Sequence, residues 1–123
     1  MSEVVCFTVP GKPVGYQTMT RGGRFSAKAT KYHAWMERVK TLALSAGWRQ
    51  PEATFERPVY VETTAFYADK RGPDPENVRK GIVDALFPSR RGAGDKYVWG
   101  RHGRWEIDAR RPRVEVLITW EEA

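Results

Sequence analysis

The chain has 123 residues, 41% of them hydrophobic, which suits one domain over residues 1–123 with a single modest core and excludes two. Its 21 Lys and Arg against 15 Asp and Glu leave a formal net charge of +6, a balance that favours an anionic partner, nucleic acid being the commonest. No apolar run approaches a membrane span, no signal-peptide pattern opens the chain, and the single Cys6 excludes an internal disulfide, so a reduced, cytoplasmic setting is expected.

Val4 to Val9 reads as a strand of β-formers closed by Pro10-Gly11. Residues 10 to 25 carry Pro, Gly, Lys and Arg with little periodicity and read as a basic loop. Over Ser26 to Ala46 the residues Tyr32, Trp35, Val39, Leu42 and Ala46 recur at helical intervals, and Gly47 supplies the stop. A turn-rich connector at 49–58 leads to Val59 to Tyr67, which alternates. Val59, Val61, Thr63 and Ala65 point one way, and Tyr60, Glu62, Thr64 and Phe66 the other, as in a strand with a buried face.

A polar loop at 68–73 precedes a second helix, with Asp74 as its N-cap and Pro75 at its first position, where a missing N–H costs nothing. Val78, Ile82, Ala85 and Leu86 form its apolar face, and Phe87-Pro88 ends it. Residues 89–94 read as a basic loop, Lys96 to Trp99 as a short strand, and Arg113 to Trp120 as the last strand, with Val114, Val116, Ile118 and Trp120 on one side. The expected class is α+β: one small mixed sheet with two helices packed on one face. Trp35 and Trp120 are expected in the core, and Trp99 and Trp105 as loop anchors. His33 and His102 are too far apart in sequence to suggest a zinc site.

The stretch Asp74-Pro75-Glu76-Asn77-Val78-Arg79-Lys80 concentrates carboxylates in a basic chain. At a helix entrance the unpaired N–H groups and the macrodipole favour negative charge, and a capping residue and one in the first turn are neighbours. Hard cations such as Mg²⁺ take one or two carboxylates plus phosphate oxygens, and such an ion polarises a phosphodiester and shields the charge of the transition state. Asp followed by Pro and Glu is also what an ordinary helix start looks like. Lys80 lies four residues after Glu76 and four before Asp84, which puts all three on roughly one helical face, as an ion-pair row or as a basic group beside a carboxylate cluster. Asp95, in a loop dense in arginine, is a third acidic candidate. Basic residues gather around these: Lys12, Arg21, Arg24, Lys28 and Lys31 early, Lys70 and Arg71 before the acidic stretch, and Arg90, Arg91, Lys96, Arg101 and Arg104 after it.

In these residues the chain resembles the RusA family of Holliday-junction resolvases, small dimeric Mg²⁺-dependent endonucleases of phages and prophages. Val9-Pro10-Gly11-Lys12-Pro13 is similar to the family's early Pro-Gly-Lys-Pro loop, and a Tyr-containing helix and a strand follow. Asp74, Glu76, Asn77 and Lys80 match the family's Asp-x-Asp-Asn-x-x-Lys pattern, Asp84-Ala85-Leu86 its Asp-Ala-Leu signature, and Asp95 its later aspartate before a hydrophobic strand. The resemblance implies Asp74, Glu76 and Asp95 as ligands of Mg²⁺ or Mn²⁺, with Lys80 as an essential basic residue of the same catalytic group. Lys12, Arg21, Arg24, Arg71, Lys80, Arg90 and Arg91 would contact DNA, largely through phosphates.

The expected activity is paired nicking of four-way DNA junctions in repair and recombination, which needs two active sites and hence a symmetric homodimer. Two departures, Glu76 in place of an aspartate and Gly94 before the late aspartate, keep a second expectation open: a branched-DNA-binding protein that cuts weakly or not at all. A third is a small basic domain that uses its acidic helix as a contact face for another protein.

Overall fold

A computed structural model, which describes residues 2–16, 27–88, 96–100 and 103–121, shows one five-stranded sheet and two helices. Across the sheet the order is β1 (Ser2–Pro10), β5 (Arg113–Glu121) and β2 (Val59–Tyr67), with β3 (Val98–Trp99) and β4 (Arg104–Ile107) following one another along the far edge of β2. β5 runs antiparallel to both of its neighbours, so β1 and β2 are parallel to each other, and β3 and β4 run parallel to β2. The chain therefore leaves β1 and β2 at the same end of the sheet. Helices α1 (Ala27–Ser45) and α2 (Pro75–Leu86) both start from that end.

One face of the sheet is dry. Val59, Val61, Ala65 and Tyr67 of β2 alternate inward, as do Val114, Val116, Ile118 and Trp120 of β5 and Val5 and Val9 of β1. Against them α1 lays Trp35, Val39 and Ala43, and α2 lays Val78, Ile82, Ala85 and Leu86. Ile82, Leu86 and Ile118 are fully buried, and burial of this kind contributes about 1.5–3 kcal/mol per side chain. Both helices thus lie on one face, and the alternation expected of the long strands is the observed one. The opposite face exposes Val4, Tyr60, Trp99 and Leu117. Among the described residues no helix is long and apolar enough to cross a membrane.

The first helix ends in two bonds that reuse its last carbonyls: Gly47 N–H donates to Leu44 O (3.1 Å) and Trp48 N–H to Ala43 O (2.9 Å). Gly47 sits at φ 100, a left-handed conformation that glycine adopts without strain. Ala46, expected in the apolar stripe, is exposed beyond the last helical residue, and the stripe runs from Val39 to Ala43 instead. The turn delivers Trp48 into the core, where its indole N–H donates to Leu86 O (3.2 Å) and its ring meets Phe87 and Trp120 edge to face.

Two sequence expectations are corrected at the far edge. The short strand expected over Lys96 to Trp99 is only Val98–Trp99, and Trp105, expected as a loop anchor, lies in a strand, β4. Their edge chain is broken. Val59 pairs with Val98 but Thr64 with Arg104, so the edge carries one residue more than β2 over that span, as in a bulge. Arg79 of α2 reaches toward the break and donates from Nε to Val61 O at 3.3 Å.

Truncating a large, fully buried helical side chain tests this core. Ile82→Ala is expected to lower the free energy of urea unfolding by about 2–5 kcal/mol with little change in the denaturant slope. A loss well under that range would show that α2 is not seated as described.

Candidate functional site

The end of the sheet where both helices begin is built around Tyr67, the last residue of β2. Its ring is 4% exposed, and its hydroxyl donates to the carbonyl of Pro73. Gly72 lies flat against that ring, so close that a Cβ there would fall 2.4 Å from it, and only glycine permits the approach. Residues 68–73 are thereby folded back onto the strand end and deliver Asp74 to the start of α2.

Asp74 caps the helix as the sequence suggests: its φ of −57 and ψ of 127 are non-helical, and Oδ1 accepts from Glu76 N–H at 2.8 Å. Asp74 and Glu76 thus stand together in the positive field of the helix start, both exposed. Glu76 turns outward to the sheet edge, where Oε1 accepts from Gly103 N–H at 2.6 Å. Gly103 itself touches the backbone of Pro75; a Cβ there would lie 2.4 Å from Pro75 O. This joint ties the start of β4 to the first turn of α2.

Lys80, expected on roughly one helical face with Glu76 and Asp84, has an aromatic partner that its spacing did not suggest. Its ammonium lies over the ring of Tyr16, 4.1 Å from the centroid, a cation–π arrangement on the side of α2 that faces α1. Tyr16 is held there by its N–H, which donates to Asn77 O at 3.0 Å, and by an edge-to-face contact with Tyr32. Asp84 accepts from the Tyr32 hydroxyl at 3.4 Å. Glu76 reaches toward β4 while Lys80 and Asp84 engage aromatic groups across the helix. The helical interval gives the angle of each Cα, but a long side chain then bends to whatever ring is near.

Lys12, Lys31 and Arg71 line an open depression of about 490 Å³ together with Tyr67, Gly72 and Pro73, immediately before Asp74 in the chain. Arg71 is tethered within it: Nη2 and Nε donate to Asp69 Oδ2 at 2.8 and 3.2 Å, and the hydrogen bond from the Arg71 side chain holds the Asp69 carboxyl below its usual range. Lys31, from the first turn and a half of α1, belongs to the early basic cluster but was not among the expected DNA contacts; the topology, which brings both helix starts together, places it here. Asp95, Arg21, Arg24, Arg90 and Arg91 lie outside the described residues.

The donor set can be compared with what a divalent cation requires. Among the described residues no group of three or more His, Cys, Asp or Glu gathers around one point. Asp74 and Glu76 form a carboxylate pair of the hard-oxygen type that suits Mg²⁺ or Mn²⁺. Asp74 Oδ2 meets no donor among the described residues, while Glu76 has already committed one oxygen to Gly103. The pair therefore fits a cation in kind, with Asp74 the readier ligand. No family model matches the chain, and no curated protein matches it.

Burial, and the nearby Asp74 charge second, push the Tyr67 phenol up to about 12. Burial, followed by Asp84, raises Tyr32 as well. Each proton is held more tightly folded than unfolded, so the associated stability is complete below about pH 10, the ordinary tyrosine value, and is lost as pH climbs from there through the raised folded value. Urea unfolding at about pH 9 and about pH 11 is expected to show a fall in stability that Tyr67→Phe reduces. An equal fall in the variant would mean that Tyr67 titrates as it does in the open chain.

Proposed function

We propose that this chain is a Mg²⁺- or Mn²⁺-dependent endonuclease that nicks branched DNA, acting on four-way junctions as a symmetric homodimer. The reading is carried by one observation: Asp74 caps α2 and Glu76 stands in its first turn, directly following in the chain a depression that Lys12, Lys31, Arg71 and Pro73 line. A site of this composition suits an anionic substrate bridged to the protein by a cation, and Lys12, Asp74 and Glu76 are among the residues through which the chain resembles the RusA resolvases.

Asp74 and Glu76 would hold the ion, with Asp95 as the third ligand the resemblance implies. When bound, the ion would polarise the phosphodiester and offset the charge that develops during hydrolysis. The chain's own groups do the rest of the positioning. Lys12 and Lys31 would neutralise backbone phosphates on the side of the depression, with Arg71 beside them. Lys80 carries its charge over Tyr16 one helical turn beyond Glu76 and would meet the strand on the other side. Paired nicks on opposed strands require two such sites, hence two copies.

A second reading has a specific observation in its favour. Glu76 is a methylene longer than the aspartate of the RusA pattern, and its Oε1 is taken up by the Gly103 amide. A protein that binds branched DNA and has lost the cut would look like this.

Incubation of a labelled four-way junction with the protein in Mg²⁺ separates the readings. Symmetric nicks are expected, absent with Asp74→Asn and with a linear duplex of matched sequence. Junction binding without nicks, in Mg²⁺ and Mn²⁺ alike, would select the second reading. Binding should also weaken linearly with log salt, each neutralised phosphate adding about 0.9 to the slope. Absence of any salt-dependent DNA affinity would sink both.

A further inference from the structure

Trp105 is 49% exposed although it lies in a strand and points to the same side of the sheet as the core. It pairs in register with Ala65 of β2, and its ring centre stands 5.9 Å from that of Tyr67, the planes inclined at 36°. Ile107, two residues on and on the same side, is 48% exposed. Half of the indole stands in water with Ile107 beside it, a contiguous apolar surface open to an occupant.

Its position says which kind. Two residues before Trp105, about 7 Å along the strand, the Gly103 amide holds Glu76. The ring behind it, Tyr67, donates to Pro73, the residue that leads into Asp74. The indole is thus linked to Asp74 by way of Tyr67 and Pro73, and to Glu76 by way of the backbone from Arg104 to Gly103. Exposed Lys70 and Arg71 sit on the loop that leaves Tyr67, the ring behind the indole, with Arg71 paired to Asp69, and Arg104 exposes its charge on the other face of the same strand. A partner that is flat and apolar on its faces, and that arrives attached to an anionic backbone, is a nucleobase.

We propose that Trp105, backed by Tyr67, stacks on the nucleobase next to the phosphate presented to Asp74 and Glu76. This deepens the DNA reading above and rests on it. Stacking there would hold an unpaired base at the branch and fix the register of the strand against the acidic pair. Rigid support makes the arrangement useful: Tyr67 is pinned by Gly72 and Pro73, so the platform does not have to be ordered when DNA arrives.

The experiment places 2-aminopurine in turn at each nucleotide flanking the branch of a four-way junction and follows its fluorescence on binding in Ca²⁺. Wild-type protein is expected to quench one position. Trp105→Ala should abolish that quenching and lower both junction affinity and cleavage in Mg²⁺, by roughly 5- to 100-fold in the combined effect. Trp105→Phe should retain part of the signal, and thermal melting should show both variants folded. Junction binding with no quenched position, or quenching that survives in Trp105→Ala, would overturn the stacking role and leave the DNA reading standing. Dissociation of a self-associated protein by Trp105→Ala, with quenching intact, would instead assign the ring to a contact between copies. A wild-type protein that fails to bind the junction at low salt would overturn the inference together with the reading beneath it.

Discussion

A phenol buried at the end of a strand needs an acceptor, because a buried hydroxyl left unpaired costs about 1–3 kcal/mol. For Tyr67 the acceptor is the carbonyl of Pro73, and meeting it requires the chain to double back across its own ring. Gly72 makes that path sterically open. From this one constraint the rest of the site follows. The loop is closed, Asp74 arrives where it can cap α2, the first turn meets Gly103, and β4 lies down beside β2 with Asp108 N–H on Tyr67 O at 2.8 Å. The strand end, the helix start and the sheet edge are thus set by a single side chain.

The excess of basic residues acquires a different meaning once their partners are known. Arg113 is spent on local structure: Nη1 donates to Asp108 at 2.9 Å and the guanidinium lies 3.7 Å over the ring of Phe66, which keeps that outward-facing aromatic covered. Arg71 is clasped by Asp69, and Arg79 donates to the Val61 carbonyl. Lys12 and Lys31 line the depression, while the Lys80 ammonium rests on Tyr16. Formal charge counts all of these equally, but the field an approaching anion meets depends on which cations stand in water and which already have a partner.

Much of the fold was legible because its long elements have one wet face and one dry face. Val59–Tyr67 and Arg113–Glu121 alternate cleanly, and the Asp74-Pro75 cap is visible since both residues are selected by the same local geometry. β4 was not legible. All four of its residues are exposed, so no alternation of burial marks it, and it exists only by pairing with a strand some forty positions earlier. Trp48 escaped for a related reason: it follows a turn and enters the core by the path of Gly47 rather than by any periodicity. In the candidate site, spacing placed Asp74 and Glu76 together but could not show that Glu76 would reach Gly103 or that Lys80 would settle on Tyr16, since both contacts join residues distant in the chain.

The broken edge beside β2 has a consequence for how these molecules behave when crowded. An uninterrupted edge strand offers a ladder of free N–H and C=O groups to which another chain can add, the first step toward aggregation. Here that ladder is cut into a two-residue and a four-residue piece, shifted out of register by the extra residue, and one carbonyl in the gap is already occupied by Arg79. A foreign strand laid along it would lose alignment within a few residues. The irregularity that frees Gly103 to meet Glu76 thus also guards this side of the sheet against templated growth.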